Sequence, residues 1–322
     1  MDNETIMQHV RNWVDTTSGG WFRESNVYST LRQSIHDLKG GTIRQYLRRL
    51  KLDGIVEAHS STEGMYRKIE SNAAVMNLAD LDGVDIKTRK VDILLPLDLH
   101  NVFNLYSKNI MVLAGDPNAG KSGWAFDIVR RNQWRKELCD LAPIHLFTSE
   151  MGEEELALRL SSAEPDGLFH HEHWNFVPIS RSSNFADVVK PDKVNIIDYL
   201  EIEDNFFLMN QKFKQIHDKL TTGIAIINIQ KSPKGASQIS DNKGLYSKLG
   251  RGGSMGLEKP KVYISIWKEF VTEYGRTHPV NKAQIIKAKN WPGDISPDGN
   301  EYEWKLINGC RVESTAVNNE PF

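Results

Sequence analysis

The chain has 322 residues, of which 39% are hydrophobic and 25% charged, as expected for a folded globular protein of about two domains. Its formal net charge is −2, which excludes a polycationic protein, so any surface that binds nucleic acid must be local. The two cysteines, Cys139 and Cys310, lie far apart in the sequence, which argues against a disulfide framework and favours a reducing, cytoplasmic compartment. The polar N-terminus and the lack of long apolar runs predict neither a signal peptide nor a membrane span.

Residues 1–72 predict a small N-terminal domain with the layout of a winged helix-turn-helix, in which three helices precede a β-hairpin. The third helix would be the recognition helix, and its outward face would contact duplex DNA. A solvated basic face and a protein-binding winged helix are the alternatives. The predicted helices are 4–15, 22–31 and 43–53, and the predicted strands are 55–58 and 65–69. The predicted DNA-binding residues are Arg44, Arg48, Arg49 and Lys51.

Residues 73–95 show no clean hydrophobic period and many charged side chains. We expect this segment to be a solvated or partner-facing linker. The second domain would then span 96–322.

The most informative stretch of the chain is a predicted buried strand, 110–114, followed by a glycine-containing loop and a helix. The loop fits the pattern G-x-x-x-x-G-K-[ST], whose backbone N–H groups and helix N-terminus bind phosphates. Lys121 would reach the β- and γ-phosphates, and the Ser122 hydroxyl would bind Mg²⁺. A chance glycine-rich turn is the alternative. The sequence therefore predicts a site for a nucleoside triphosphate with Mg²⁺. Its residues are Gly115, Asp116, Pro117, Asn118, Ala119, Gly120, Lys121 and Ser122.

Acidic residues end two further predicted strands. Glu150 follows the strand 144–149, where a carboxylate could activate water, and a helix is predicted over 153–160. Asp198 ends the apolar strand 194–198, which is the Walker B pattern of a Mg²⁺ carboxylate.

Between these two strands lie His170, His171 and His173. A metal site is conceivable there, but the spacing favours a solvated loop.

Strands and helices continue to alternate through the rest of the chain. This alternation predicts an α/β fold, a mainly parallel sheet with helices on both faces, whose ligand lies at the carboxyl ends of the strands. The remaining predicted elements are a helix at 206–220, strands at 224–229 and 262–267, and a terminal hairpin formed by 283–288 and 301–307.

Several of these phrases resemble the RecA superfamily, and most closely the ATPase domain of DnaB-type replicative helicases, over residues 96–310. FTSEM resembles the family's second-strand motif, which makes Glu150 the catalytic base, and IIDYLE resembles its Walker B phrase, which makes Asp198 the magnesium carboxylate. INIQKSPKG is similar to the next strand, so Gln230 would couple the γ-phosphate to a DNA-binding loop. The resemblance implies a RecA-like ATPase that uses ATP and Mg²⁺.

The same resemblance concerns Lys287 and Lys289, which match a basic pair that reaches a neighbouring subunit's phosphates. The family usually has Arg at the second position, and Lys289 cannot form a planar bidentate fork. Arg276 or Arg251 could substitute. A second departure is the N-terminal domain, because DnaB-type helicases carry a helical primase-binding domain there.

Residues 231–253 form a long glycine-containing segment with one acidic residue, Asp241. In the RecA superfamily the matching loops grip the backbone of single-stranded DNA, and this segment is predicted to do so. A solvated connector is the alternative. Its cationic residues are Lys231, Lys234, Lys243, Lys248 and Arg251.

We therefore predict a DNA-dependent ATPase that forms a ring, expected to be a homo-hexamer. It would act as a helicase or translocase on single-stranded DNA, with duplex DNA at the winged helix, in the replication of a phage or mobile element. The alternatives are an ATP-switched DNA-binding regulator and a recombinase-like filament protein without unwinding activity.

Overall fold

The computed structural model describes residues 3–17, 20–35, 38–69, 78–201, 208–231, 248–250, 253–273 and 276–315. The predicted DNA contacts Lys234, Lys243 and Arg251 lie outside these ranges. The chain divides into two compact units, Met1–Asp82 and Gly83–Phe322.

The first unit contains three helices and a three-stranded antiparallel sheet in the order β1-β3-β2. Its core is formed by apolar side chains from all three helices, including Val10, Val27 and Leu47. The helices are α1 (Asn3–Thr16), α2 (Glu24–Leu31) and α3 (Gly40–Leu52), and the strands are β1 (Phe22–Arg23), β2 (Val56–Ala58) and β3 (Met65–Lys68).

The start of the predicted second helix is a strand in the structure. Phe22 pairs with Tyr66 of β3, and its ring lies between those of Trp13 and Tyr66, with centroid distances of 5.0 and 6.4 Å. Phe22 is therefore buried by tertiary packing, so the helix begins only at Glu24.

The second unit is built on one nine-stranded sheet in the order β12-β11-β10-β9-β4-β8-β7-β5-β6. The six neighbouring strands β9, β4, β8, β7, β5 and β6 run parallel to one another. Each of the pairs β9–β10, β10–β11 and β11–β12 is antiparallel. The helices are α4 (Lys121–Asn132), α5 (Glu153–Ser161) and α6 (Leu208–Lys219). The strands are β4 (Ile110–Gly115), β5 (Ile144–Thr148), β6 (Phe176–Ser180), β7 (Val194–Asp198), β8 (Ile224–Gln230), β9 (Val262–Glu273), β10 (Arg276–Ala288), β11 (Glu301–Ile307) and β12 (Arg311–Ser314).

The sheet carries helices on both faces. Successive side chains of the buried strand β4 point to opposite faces, so Met111 and Leu113 pack in the cluster that contains α4 and α5. Val112 and Ala114 pack in the other cluster, with Phe213 of α6. The mixed α/β fold that the alternation of strands and helices predicted is confirmed.

The antiparallel part of the sheet is larger than the predicted terminal hairpin. Residues 283–288 are the end of β10, which pairs with β9 along its length and with β11 over Asn281–Gln284. The end of the segment predicted as a linker also differs, because Val91, Ile93 and Leu95 are buried in the core with α4. Their alternation is the strand-like period that the charged neighbours obscured.

Candidate phosphate-binding site

The glycine-containing loop connects the end of β4 at Gly115 to the start of α4 at Lys121. Gly120 caps the helix with φ +92°, a left-handed conformation that favours glycine. A Cβ on Gly120 would lie only 2.7 Å from the Cη2 atom of the buried Trp304 in β11. Only glycine can therefore adopt this backbone conformation and fit against Trp304 at this position. The loop ends at the N-terminus of α4, and a loop that leads into a helix N-terminus in this way binds anions.

Lys121 lies over the loop that precedes it. Its Nζ donates hydrogen bonds to the main-chain oxygens of Asp116, at 3.0 Å, and Gly115, at 3.3 Å. Burial lowers the pKa of Lys121, and the carboxylates of Asp198 and Glu150 oppose this shift by attraction. The ammonium is thus held among backbone carbonyls and acids, where a phosphate could replace its contacts with the two main-chain oxygens.

Asp198 ends β7 as a buried carboxylate, 2% exposed. Its Oδ1 accepts a hydrogen bond from Asn228 Nδ2 at 2.8 Å, whereas Oδ2 has no partner with hydrogen-bond geometry in the described part of the chain. Burial raises the pKa of Asp198, and the neighbouring Asn228 amide and Ser122 hydroxyl lower it. A free carboxylate oxygen close to a serine hydroxyl is a donor set that fits Mg²⁺, which prefers oxygen ligands.

Glu150 follows β5 at the same edge of the sheet. Thr148 pairs with Asp198 in the parallel ladder, and Ser149 donates its N–H to the Asp198 main-chain oxygen at 3.2 Å. Burial and the nearby Asp198 raise the pKa of Glu150, while Lys121 and Arg159 lower it. The carboxyl group is therefore close to the buried acid and the loop lysine, where a base acting on a phosphate-bound water would lie.

Gln230 ends β8 in register with Gly115, and the next residue, Lys231, donates its N–H to the Gly115 oxygen at 3.0 Å. Gln230 lines the same cavity of about 360 Å³ as the loop and Glu150. The structure thus brings together the loop, Glu150 and Gln230, with Asp198 beneath them.

Other residues of this site were not assigned roles from the sequence. Arg159 of α5 and Tyr199 line the cavity, as do Leu306 near the end of β11 and Gly309 in the turn that follows it. Asn228 is buried behind it in β8. A polar side chain inside the apolar run Ile-Ile-Asn-Ile was the available sequence signal for Asn228, but the turn after β11 has no such signal.

Lys287 and Lys289 do not line this cavity. In the sheet, Lys287 of β10 pairs with Tyr263 of β9, and Tyr263 pairs with Val112 of β4, three residues before the loop. The Lys287 Nζ donates a hydrogen bond to the main-chain oxygen of Leu257. Burial, and repulsion from Lys289, lower the pKa of Lys287. Lys289 is exposed beyond the end of β10.

Lys231 is the first residue of the predicted DNA-binding segment, and Lys248 lies in its last third. Both ammonium groups lie over the Trp267 ring, at 5.1 and 5.3 Å. Lys231 is 3% exposed and is bridged to Gly250, so its side chain is buried in this structure, and the predicted contact with DNA stays a prediction. Lys248 also donates to Gln284 at 2.7 Å.

The basic face of α3 is exposed at all four predicted positions. Arg44 forms hydrogen bonds to both carboxylate oxygens of Glu24, which neutralises its charge locally. Arg48, Arg49 and Lys51 are not ion-paired with any acid that the structure describes, and they leave an exposed cationic strip on this helix.

The histidine-rich segment pairs with acids instead of converging on one point. His170 bonds to Asp166 at 2.7 Å and His173 to Glu164 at 2.8 Å. Among the described residues no group of three or more histidines, cysteines or acids could hold a metal ion.

None of the helices in the described ranges is both long enough and apolar enough to cross a membrane. No protein-family model and no curated protein matches the chain. Among solved structures, the chain is similar to the "ATPase Domain of G40P", at 13% sequence identity and a TM-score of 0.47. The similarity covers 74% of this chain and 95% of that one. So distant a likeness carries no argument about function, which must come from the geometry of the cavity.

Proposed function

We propose that the protein is a Mg²⁺-dependent, DNA-dependent ATPase with a RecA-like core. The proposal rests on one observation: a phosphate-type loop, a buried carboxylate with a free oxygen, a second carboxylate and a glutamine meet at the carboxyl ends of neighbouring parallel strands. Each of these groups has a separate task in phosphoryl transfer, which depends on positioning and charge stabilisation.

Each residue of the site would have its own role in binding or hydrolysing ATP. Loop N–H groups and Lys121 hold the β- and γ-phosphates, and Ser122 and Asp198 hold Mg²⁺. When bound, Mg²⁺ would offset the charge of the phosphate oxygens. Glu150 orients the attacking water and accepts its proton, and its raised pKa makes it a better base than an ordinary glutamate. Gln230, which lines the same cavity at the end of β8, would contact the γ-phosphate and couple its presence to the residues that follow β8.

Single-stranded DNA would contact the segment that follows Lys231, and the protein would act as a ring-forming helicase or translocase, expected to be a homo-hexamer. The position of Lys287 and Lys289 away from their own subunit's cavity supports a role at a neighbour's nucleotide. Lys289 is the better candidate of the two, because the Lys287 ammonium is already engaged by a main-chain oxygen.

Residues 1–72 would act as a winged helix-turn-helix domain on duplex DNA. The order of three helices followed by an antiparallel hairpin supports this assignment, as does the exposed cationic strip of α3. Such a combination would suit the replication of a phage or mobile element, with the winged helix recruiting the ATPase to a duplex site.

The test is Glu150→Gln, with Glu153→Gln as the matched control. Glu153 is an exposed acid at the start of α5 that does not line the nucleotide cavity. We expect Glu150→Gln to bind ATP but to lose turnover by orders of magnitude, with and without single-stranded DNA, and the control to keep wild-type turnover. Wild-type turnover in Glu150→Gln would remove Glu150 from the mechanism. A wild-type protein that hydrolyses no ATP would refute the proposed function.

A further inference from the structure

Asn228 makes contacts that none of the roles above requires. It lies in β8, 1% exposed, between the strand that ends in the phosphate loop and the strand that ends in Asp198. Its Nδ2 donates to Asp198 Oδ1 at 2.8 Å and to the main-chain oxygen of Lys121 at 3.1 Å. An amide nitrogen has two hydrogens, so these bonds use the full donor capacity of the side chain.

The two bonds have a geometric consequence. One amide group connects the buried carboxylate to the first residue of α4, and so sets the position of Asp198 relative to Lys121 and Ser122. Because Oδ1 is occupied by Asn228, Oδ2 is the carboxylate oxygen that remains without a partner among the described residues. A buried carboxylate with one bonded oxygen and one free oxygen is held in a single orientation, as are metal ligands with an outer hydrogen-bond partner.

Resting on the proposed function, we infer that Asn228 is a positioning residue for the Mg²⁺–nucleotide complex, acting through Asp198. It orients the carboxylate so that Oδ2 is left for Mg²⁺ or a water bound to it. Leucine has similar volume and no donor, so it would leave Asp198 free to rotate and the Lys121 oxygen without this partner.

A merely structural asparagine is the competing explanation, and the chain offers a matched control for it. Asn195 is a buried asparagine in the adjacent strand β7, and its Nδ2 donates to the main-chain oxygens of Lys190 and Lys193, both at 2.9 Å. It lies toward the opposite end of β7 from Asp198 and does not line the cavity. Substitution of Asn195 should reduce stability alone.

The experiment compares Asn228→Leu and Asn195→Leu in the full-length chain. A fluorescent ATP analogue is titrated at a series of Mg²⁺ concentrations and in EDTA, and thermal unfolding is recorded for each variant. For Asn228→Leu we expect the Mg²⁺ concentration at half-maximal binding to rise about tenfold, as for other outer partners of metal ligands. Binding in EDTA should change little. Asn195→Leu should keep the wild-type Mg²⁺ dependence.

If Asn228→Leu does not fold, Asn228→Ser, which is smaller and has one donor, should still raise the Mg²⁺ requirement. In an Asp198→Ala background either substitution should add no further shift, because the effect acts through that carboxylate. An unchanged Mg²⁺ requirement in a folded Asn228 variant, or an additive shift in the double variant, would overturn the inference. If the wild-type chain binds the analogue without any Mg²⁺ dependence, the proposed function itself fails.

Discussion

Replacement of Gly120 by alanine tests the contact between the phosphate loop and β11. Two costs can be worked out from the structure. An L-residue at φ +92° costs about 1–2 kcal/mol relative to glycine, and a Cβ placed 2.7 Å from Trp304 Cη2 costs a further 1–3 kcal/mol, roughly, because the ring is buried and packed. We therefore expect Gly120→Ala to lower the free energy of unfolding of this unit by about 2–5 kcal/mol. It should also weaken ATP binding, because the loop must shift to accept the methyl group.

Gly299 separates the two costs. It has φ +96°, but a Cβ there would meet no described atom within 4 Å. Gly299→Ala should therefore show only the conformational cost, about 1–2 kcal/mol, with normal ATP binding. The measurement is denaturant unfolding of both variants, with nucleotide titration of each. Equal destabilisation and equal ATP binding in the two variants would refute the argument that the packing of Trp304 constrains the loop.

Three further predictions concern other parts of the molecule. Burial and the nearby Asp198 raise the pKa of Glu150, and a general base must be deprotonated to act. ATP turnover should therefore fall as the pH is lowered, with a midpoint above the ordinary glutamate pKa of about 4.3. A midpoint at or below that value would contradict the role of Glu150 as the base. Arg48→Ala combined with Arg49→Ala should weaken duplex DNA binding and flatten its salt dependence, measured by fluorescence anisotropy at several salt concentrations; unchanged slopes would argue for a protein-binding or solvated face. Trp267→Leu should lower the free energy of unfolding by about 1–2 kcal/mol more than Trp267→Phe, because phenylalanine keeps an aromatic ring under Lys231 and Lys248. Equal losses in the two variants would show that the cation–π contact does not stabilise the protein.

The phosphate loop was predictable from the sequence because its requirements are local. A buried strand, two glycines, a lysine and a helix start follow one another within a few residues, and backbone geometry leaves few other arrangements. The acids at the ends of β5 and β7 were predictable for a related reason, because parallel strands place their carboxyl ends at one edge of the sheet.

Features that depend on distant packing were not predictable in this way. The contact of Trp304 with Gly120 joins residues far apart in the sequence, and no local period indicates it. β6 is a short edge strand that contains Pro178, a residue that ordinarily argues against a strand. Lys231 was assigned to the basic DNA-binding segment because lysines and glycines follow it in the sequence, whereas its side chain is buried and its ammonium lies over an indole from β9.

The central claim is that triphosphate binds between the loop that holds Lys121 and the buried Asp198. The most direct measurement is calorimetric titration of the full-length protein and its Lys121→Ala variant with a non-hydrolysable ATP analogue in the presence of Mg²⁺. The account predicts saturable binding by the wild-type protein, one nucleotide per chain, and a loss of most of that affinity in the variant. Equal affinity in both proteins, or no binding to the wild-type protein, would contradict it.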